Sequence, residues 1–506
     1  MNQGAVPLGG LAVAVGAGEY HSVVLLVDGS VRAFGSGSNG MLGYGSTDNV
    51  GSKATTLPSL QGGVNLGGEA VAVAAGSSHT LVAMTDGKAF AFGNGGVGRL
   101  GSGSTDNIGD TPQTLPHLMG PVSLGGNAVA VAAGTFHSLV VLDDGSLRAF
   151  GSGGSGRLGY GTSFDLGNTP DTVPSKQGPV PLGGNAVAAA AGGFQSLVLL
   201  DDGSVLAFGA GGNGLLGYGD TSDVGGTPQT VPSVQGPVPL GGKAVAVAAG
   251  TSHSLVLLGN GSVLAFGSGA NGRLGYGDTA NVGDTPQTVP SEQGPVPLGG
   301  KAVAVAGGTM HSLVLLEDGT ARTFGYGGFG RLGYGDGTDV GDTPQTVPSE
   351  QGPVPLGGKA VAVAGGTMHS LVLLEDGTAR TFGYGGFGRL GYGDSADVGS
   401  TPDTVPSKKG PVPLLAPSSS PSPSPSATPS SLAHDHGLAH DHGLAHDLGL
   451  AHLHGLAHLH SLAHLHSLAH LHGLAHTHRQ PLRFANRLRR RDRQHRHRRR
   501  WHPARR

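Results

Sequence analysis

Histidine recurs at His21, His79, His137, His253, His311 and His369, in steps of 58 residues, with Gln195 at the place of the missing copy. A neutral imidazole ligates metals and titrates near neutral pH, so the series could bind an ion or sense acidity. A group repeated once per structural unit, however, stands many ångströms from its copies. The series is therefore read as structural, each histidine bonding backbone around its own Gly-x-x-His turn. A second series, Arg99, Arg157, Arg273, Arg331 and Arg389, follows glycine-rich loops, with Met41 and Leu215 at the two remaining places. Arginines in such loops are expected at the surface, where a ring of them would meet an acidic partner or phosphate. The competing expectation pairs each with an aspartate of the neighbouring unit, such as Asp278, Asp336 or Asp394. The unit with Gln195 and Leu215 lacks both side chains, so the symmetry breaks there.

Other candidates are weaker. Every unit holds Gly-x-Gly-x-x-Gly, as in Gly267 to Gly272. A dinucleotide fingerprint needs a helix opening after the glycines, and here Arg-Leu-Gly-Tyr-Gly follows, so these are read as turns. There is no cysteine and no serine-nucleophile motif, and no catalytic residue or cofactor is expected. Beyond the units the composition breaks. Residues 416–431 form a Pro/Ser linker, and residues 432–478 repeat Leu-Ala-His-x-His-Gly/Ser with 15 histidines. Pairs such as His434/His436 and His440/His442 would hold divalent metal weakly. Residues 479–506 carry 13 arginines and one aspartate, which attracts nucleic acid or acidic surfaces by charge alone. The hexad is also what a GC-rich nucleotide repeat would encode, and that reading stands beside the metal-binding one.

The elements that position the repeated residues can be read from one unit. Ala244 to Ala249 is apolar throughout and small at alternate positions, which suits a strand buried on both faces. A second strand follows at Ser254–Leu258, then the hairpin signal Asn260-Gly261, then a third strand at Ser262–Phe266. The prolines around Val296 confine the last apolar stretch to an edge or a short outer strand. Three to four antiparallel strands, seven times over, predict an all-β chain closed as a seven-bladed β-propeller over residues 1–415. The related segments Ala5–Leu8 and Pro411–Leu414 are the two candidates for a strand that fastens the ring.

The pattern G-x-x-H-S-L-V-L-L-x-D-G-x-x-x-x-F-G-x-G-x-x-G-R-L-G-Y-G, as in Gly308 to Gly335, resembles the regulator of chromosome condensation repeat. The resemblance covers roughly residues 4–415 and implies a seven-bladed propeller. The chain departs from it in carrying Phe34, Phe92, Phe150, Phe208, Phe266, Phe324 and Phe382 where family repeats often have tryptophan. The one tryptophan, Trp501, lies in the tail, which sets aside ultraviolet sensing through a tryptophan cluster.

Charge divides the chain. Residues 1–431 carry a balance of −12 and residues 432–506 one of +9, so any pull on polyanions is expected from the tail. Met1 to Tyr20 shows neither a basic run nor a long apolar core, so no secretory leader or membrane helix is expected, and a cytoplasmic or nuclear compartment is favoured. Units six and seven are identical over Lys301–Asp336 and Lys359–Asp394. Repeated surfaces suit avid contact with a broad partner better than one asymmetric catalytic pocket. The expected function is a monomeric, non-enzymatic protein-interaction scaffold. The alternatives are nucleotide exchange on a Ran-type small GTPase, implied by the resemblance, and a secreted or wall-associated repeat protein with the Pro/Ser stretch as a stalk.

Overall fold

The computed structural model describes residues 10–414. The expectations on Ala5–Leu8, the linker 416–431, the histidine hexads with His434, His436, His440 and His442, and the basic segment 479–506 lie outside the described residues.

Seven three-stranded antiparallel sheets follow one another, each built from consecutive strands. In the first blade the inner strand is Ala12–Ala17, the middle strand His21–Leu26 and the outer strand Val31–Gly35. The sequence-derived strands of the fifth unit fall within a residue of the observed Ala244–Ala249, His253–Leu258 and Val263–Gly267. The arrangement is the predicted seven-bladed propeller, with the inner strands around the axis.

Burial differs from the expectation in one respect. The strand closed off on both faces is the middle one, buried at every position in every blade. The inner strand is only partly so, with Val129, Val303 and Val361 exposed. Its small side chains serve the narrow axis, where seven inner strands converge.

The proline-flanked stretch is not a strand. The amide of Val296, set between prolines, donates to Val263 O at 2.9 Å, and its counterparts Val64 to Val412 make the same contact. One bond per blade is what two prolines leave. A half-buried tyrosine fixes the preceding loop: the Tyr276 hydroxyl accepts from Ala265 N and donates to Gly294 O. Burial pushes the equivalent Tyr44 and Tyr160 phenols up to about 12.

Blades pack by a phenylalanine over a glycine. A Cβ at Gly43 would sit 2.8 Å from the Phe92 ring of the next blade, and Gly391 meets Phe34 in the same way across the closure. Among the described residues the ring closes without an exchanged strand. Val412 bonds to Ala379 of its own blade, so Pro411–Leu414 does not fasten blade one. The first and last blades meet as all others do, with Ala12 N donating to Gly377 O at 3.1 Å as Ala70 N does to Gly29 O at 2.9 Å.

Candidate functional site

Gly-x-x-His ends each inner strand and turns the chain into the middle strand. The imidazole does not fix its own turn, as expected, but reaches the next blade. The Nε2 atoms of His21, His79, His137, His253, His311 and His369 lie 2.8–2.9 Å from the hydroxyls of Thr80, Ser138, Ser196, Ser312, Ser370 and Ser22. Each hydroxyl donates its one proton to a main-chain carbonyl of the histidine's blade, as Ser138 does to Arg99 O at 2.7 Å. It must therefore accept from the imidazole, which assigns the proton to Nε2 and leaves Nδ1 bare. No group donates to these six Nδ1 atoms. Gln195 replaces the relay by donating to Gly250 O and His253 O at 3.1 and 3.0 Å. Burial, helped by nearby arginines, pushes His21, His137 and His253 down to about 3, and holds His79, His311 and His369 well below the usual range. Among the described residues no group of three or more His, Asp or Glu side chains could hold a metal ion.

The arginines are not the exposed ring that their glycine loops suggested. Arg99, Arg157, Arg273, Arg331 and Arg389 are only 8, 7, 6, 2 and 1% exposed. Nor do they pair with Asp278, Asp336 or Asp394: among the described residues the four ion pairs all involve lysine, Asp394 taking Lys409. Their acceptors are carbonyls. Arg389 Nε donates to Gly386 O at 3.0 Å, and its Nη1 crosses the closure to Glu19 O at 2.7 Å. Arg99, Arg157 and Arg331 likewise reach Thr135 O, Gly193 O and Thr367 O at 3.0 Å. A planar fork with five donors can staple one loop to two blades, which a lysine could not do.

What these arginines support is exposed. Arg389 lies 5.0–5.7 Å from the ring centroids of Tyr384, Phe387 and Tyr20, and Arg331 lies 4.7 and 5.9 Å from those of Tyr326 and Phe329. Phe329 packs on Tyr384 at 5.2 Å and Phe387 meets Tyr20 edge-on at 6.4 Å. An aromatic arc thus runs from blade six through seven into one, with Phe329 45% and Phe387 46% exposed. A second patch joins Phe136 and Phe194 through Arg157. Sequence reasoning missed these residues because they occupy the variable places of Gly-x-x-His and Gly-x-Gly-x-x-Gly. The available signal was that Phe329 and Phe387 fill a left-handed position, φ 63° and 62°, held by Asn in three other blades. A bulky residue is costly there unless its side chain is wanted. The glycine loops themselves are closed. Gly37 N and its six counterparts donate to an Asn or Asp side chain at 2.9–3.3 Å, so the amide a phosphate would need is engaged.

Inside the aromatic residues, at the axis, three successive residues from every blade line a space of about 70 Å³. Alanine or glycine, then glycine, form its wall, and the rim carries Glu19, Ser77, Thr135, Gly193, Thr251, Thr309 and Thr367.

Comparison with known proteins agrees with this architecture. The RCC1-like domain profile matches residues 121–422, and the regulator of chromosome condensation (RCC1) repeat matches residues 28–83 and 86–141. The chain belongs to the RCC1-like domain family. The E3 ubiquitin-protein ligase HERC2 of Homo sapiens is 34% identical over 354 residues, which are 70% of this chain and 7% of the ligase. The chain therefore spans a small fraction of that relative's length. The ultraviolet-B receptor UVR8 of Arabidopsis thaliana is 29% identical, covering 76% of this chain and 79% of the receptor. Among solved structures, human WBSCR16 superposes with a TM-score of 0.53 at 22% identity, covering 71% of this chain and 85% of that one. Prp20p of Saccharomyces cerevisiae, described with its binding to Gsp1p and histones, gives 0.52 at 20% identity, covering 71% and 81%. Both show the propeller fold. No helix among the described residues is long and apolar enough to cross a membrane.

Proposed function

We propose that this RCC1-like propeller is a non-enzymatic protein-docking module whose contact surface is the aromatic arc of blades six, seven and one. The supporting observation is the pairing of exposed Phe329, Phe387 and Tyr20 with buried Arg331 and Arg389. Rings locked over guanidinium groups lose little freedom on binding, which is the usual character of interface anchors. Exposed Asp336 lies in the loop after the glycine turn that carries Phe329, so the fitting partner offers apolar and cationic side chains together.

Nucleotide exchange on a Ran-type GTPase is the second reading, supported by the fold shared with Prp20p. The constant 58-residue period gives no blade a longer loop to wedge into a nucleotide site. The test uses the immobilised full chain beside its Tyr20→Ser/Phe329→Ser/Phe387→Ser variant. Partners retained by the wild type should be lost from the variant, while release of fluorescent nucleotide from a Ran-type GTPase should be unchanged by either. Equal retention by both chains would remove the arc from the reading. Acceleration by sub-stoichiometric protein would replace docking with exchange.

A further inference from the structure

The near-identity of the blades argues against a unique pocket, but the rim of the axial space is not symmetric. Of its seven rim positions a single one is acidic, Glu19. Its Oε2 accepts from Ser77 Oγ of the next blade, and the neighbouring Tyr20 hydroxyl is the other protein donor facing the carboxylate, whose two oxygens keep lone pairs for a cation. Around the ring Thr251 Oγ1 donates to Thr309 Oγ1 at 3.1 Å, and Thr309 in turn to Thr367 Oγ1 at 2.9 Å. A hydroxyl oxygen has two acceptor positions, so this chain keeps lone pairs for a further donor. The wall below is glycine and alanine, and no side chain fills it.

From this arrangement we infer that the axial mouth is a binding site for one primary ammonium group, such as the end of a lysine side chain. The charge fits: one carboxylate balances one monovalent cation, whereas divalent calcium takes six to eight oxygen ligands, commonly with several carboxylates. The shape fits as well. A tetrahedral head with three N–H donors suits a ring of oxygens around an axis, and a space of about 70 Å³ holds it with its first methylene groups. Among the described residues no cation already holds the site. Arg389, the nearest arginine, donates to the Gly386 and Glu19 main-chain oxygens, and among the described residues no ion pair reaches the Glu19 carboxylate. The site deepens the docking reading by giving the partner's cationic side chain a place at the centre of the aromatic face, yet its chemistry stands without any partner.

The experiment titrates methylammonium, and separately Nα-acetyl-lysine amide, into the full chain carrying labelled threonine methyl groups. Saturable shifts are expected at Thr251, Thr309 and Thr367, with affinity at least ten-fold weaker in Glu19→Gln. Thr251→Glu, which adds a second carboxylate to the rim, should tighten binding about ten-fold. Shifts that do not saturate, equal binding by Glu19→Gln, or equal binding of guanidinium at the same methyl groups would each overturn the site. The Phe329→Ser/Phe387→Ser chain separates the two readings: it should lose partner capture and still bind methylammonium as the wild type does. Loss of both would mean that the rim has no site of its own.

Discussion

His369 and Ser22 stand 347 residues apart in the chain and 2.8 Å apart in the fold. Ser22 passes its own proton to Arg389 O at 2.9 Å, so one hydroxyl satisfies two buried groups of the last blade. Ser22→Ala should therefore strand a buried N–H and a buried carbonyl, at a cost of about 1–3 kcal/mol. Ser254→Ala is the milder comparison: it strands the Leu215 carbonyl alone, because Gln195 keeps Gly250 O and His253 O as acceptors. Urea unfolding should place Ser22→Ala clearly below Ser254→Ala. Equal midpoints would mean that the relay does not contribute at the closure.

Acid should open the ring. The six turn histidines are neutral in the fold, with His21, His137 and His253 pushed down to about 3, whereas an unfolded histidine titrates near 6.5. The unfolded chain thus binds more protons as pH falls through this window, and stability falls with it. It is complete above about pH 7 and declines towards pH 3. Each histidine contributes a slope of about 1.4 kcal/mol per pH unit, or about 2 kcal/mol by pH 5, and six together should unfold the propeller near there. Unfolding midpoints measured from pH 8 to 4 check this, and a flat profile would refute buried neutral imidazoles.

The same slope offers a finer test at blade four. Gln195→His should rebuild the relay to Ser254, leave stability at pH 7 within about 1 kcal/mol, and add one proton to the acid slope. His137→Gln should subtract one. Proton uptake on unfolding, obtained from the pH dependence of the midpoint, distinguishes both from the parent chain.

Glycine matters unequally. A Cβ at Gly76 would fall 2.5 Å from both the Gly134 carbonyl oxygen and the His79 ring, so Gly76→Ala must push two blades apart, costing about 3 kcal/mol. Gly120 has φ +82° and nothing within 4 Å of a Cβ, so Gly120→Ala adds only backbone strain, about 1 kcal/mol. Thermal unfolding of the two variants should separate them by several degrees.

Much of this architecture was legible in the chain. The period fixed the blade count, and Ala244–Ala249 and Asn260-Gly261 located a strand and a hairpin because both are local signals. What was misread depends on partners one period away. His79 looked like a turn residue because its acceptor, Ser138, is 59 positions on, although a serine or threonine following every histidine was there to be noticed. Arg389 looked exposed because a glycine loop offers it no visible partner; its partners are main-chain carbonyls, which every residue has and none advertises. The aromatic arc escaped for a related reason. Repeats draw the eye to what stays constant, and Tyr20, Phe329 and Phe387 sit where the units differ.

The direct meeting of the first and last blades has a topological consequence. Leu414 and Gly10 hold the places that Leu66 and Gly68 hold one blade on, with one position between them. Seven equivalent junctions make the place at which the described propeller is cut mechanically interchangeable. Joining those ends through one residue and reopening the chain between Leu240 and Gly242 should give a permuted protein with the parent's unfolding midpoint. Such a molecule would be a circle cut at another place, as any of the seven seams could have been.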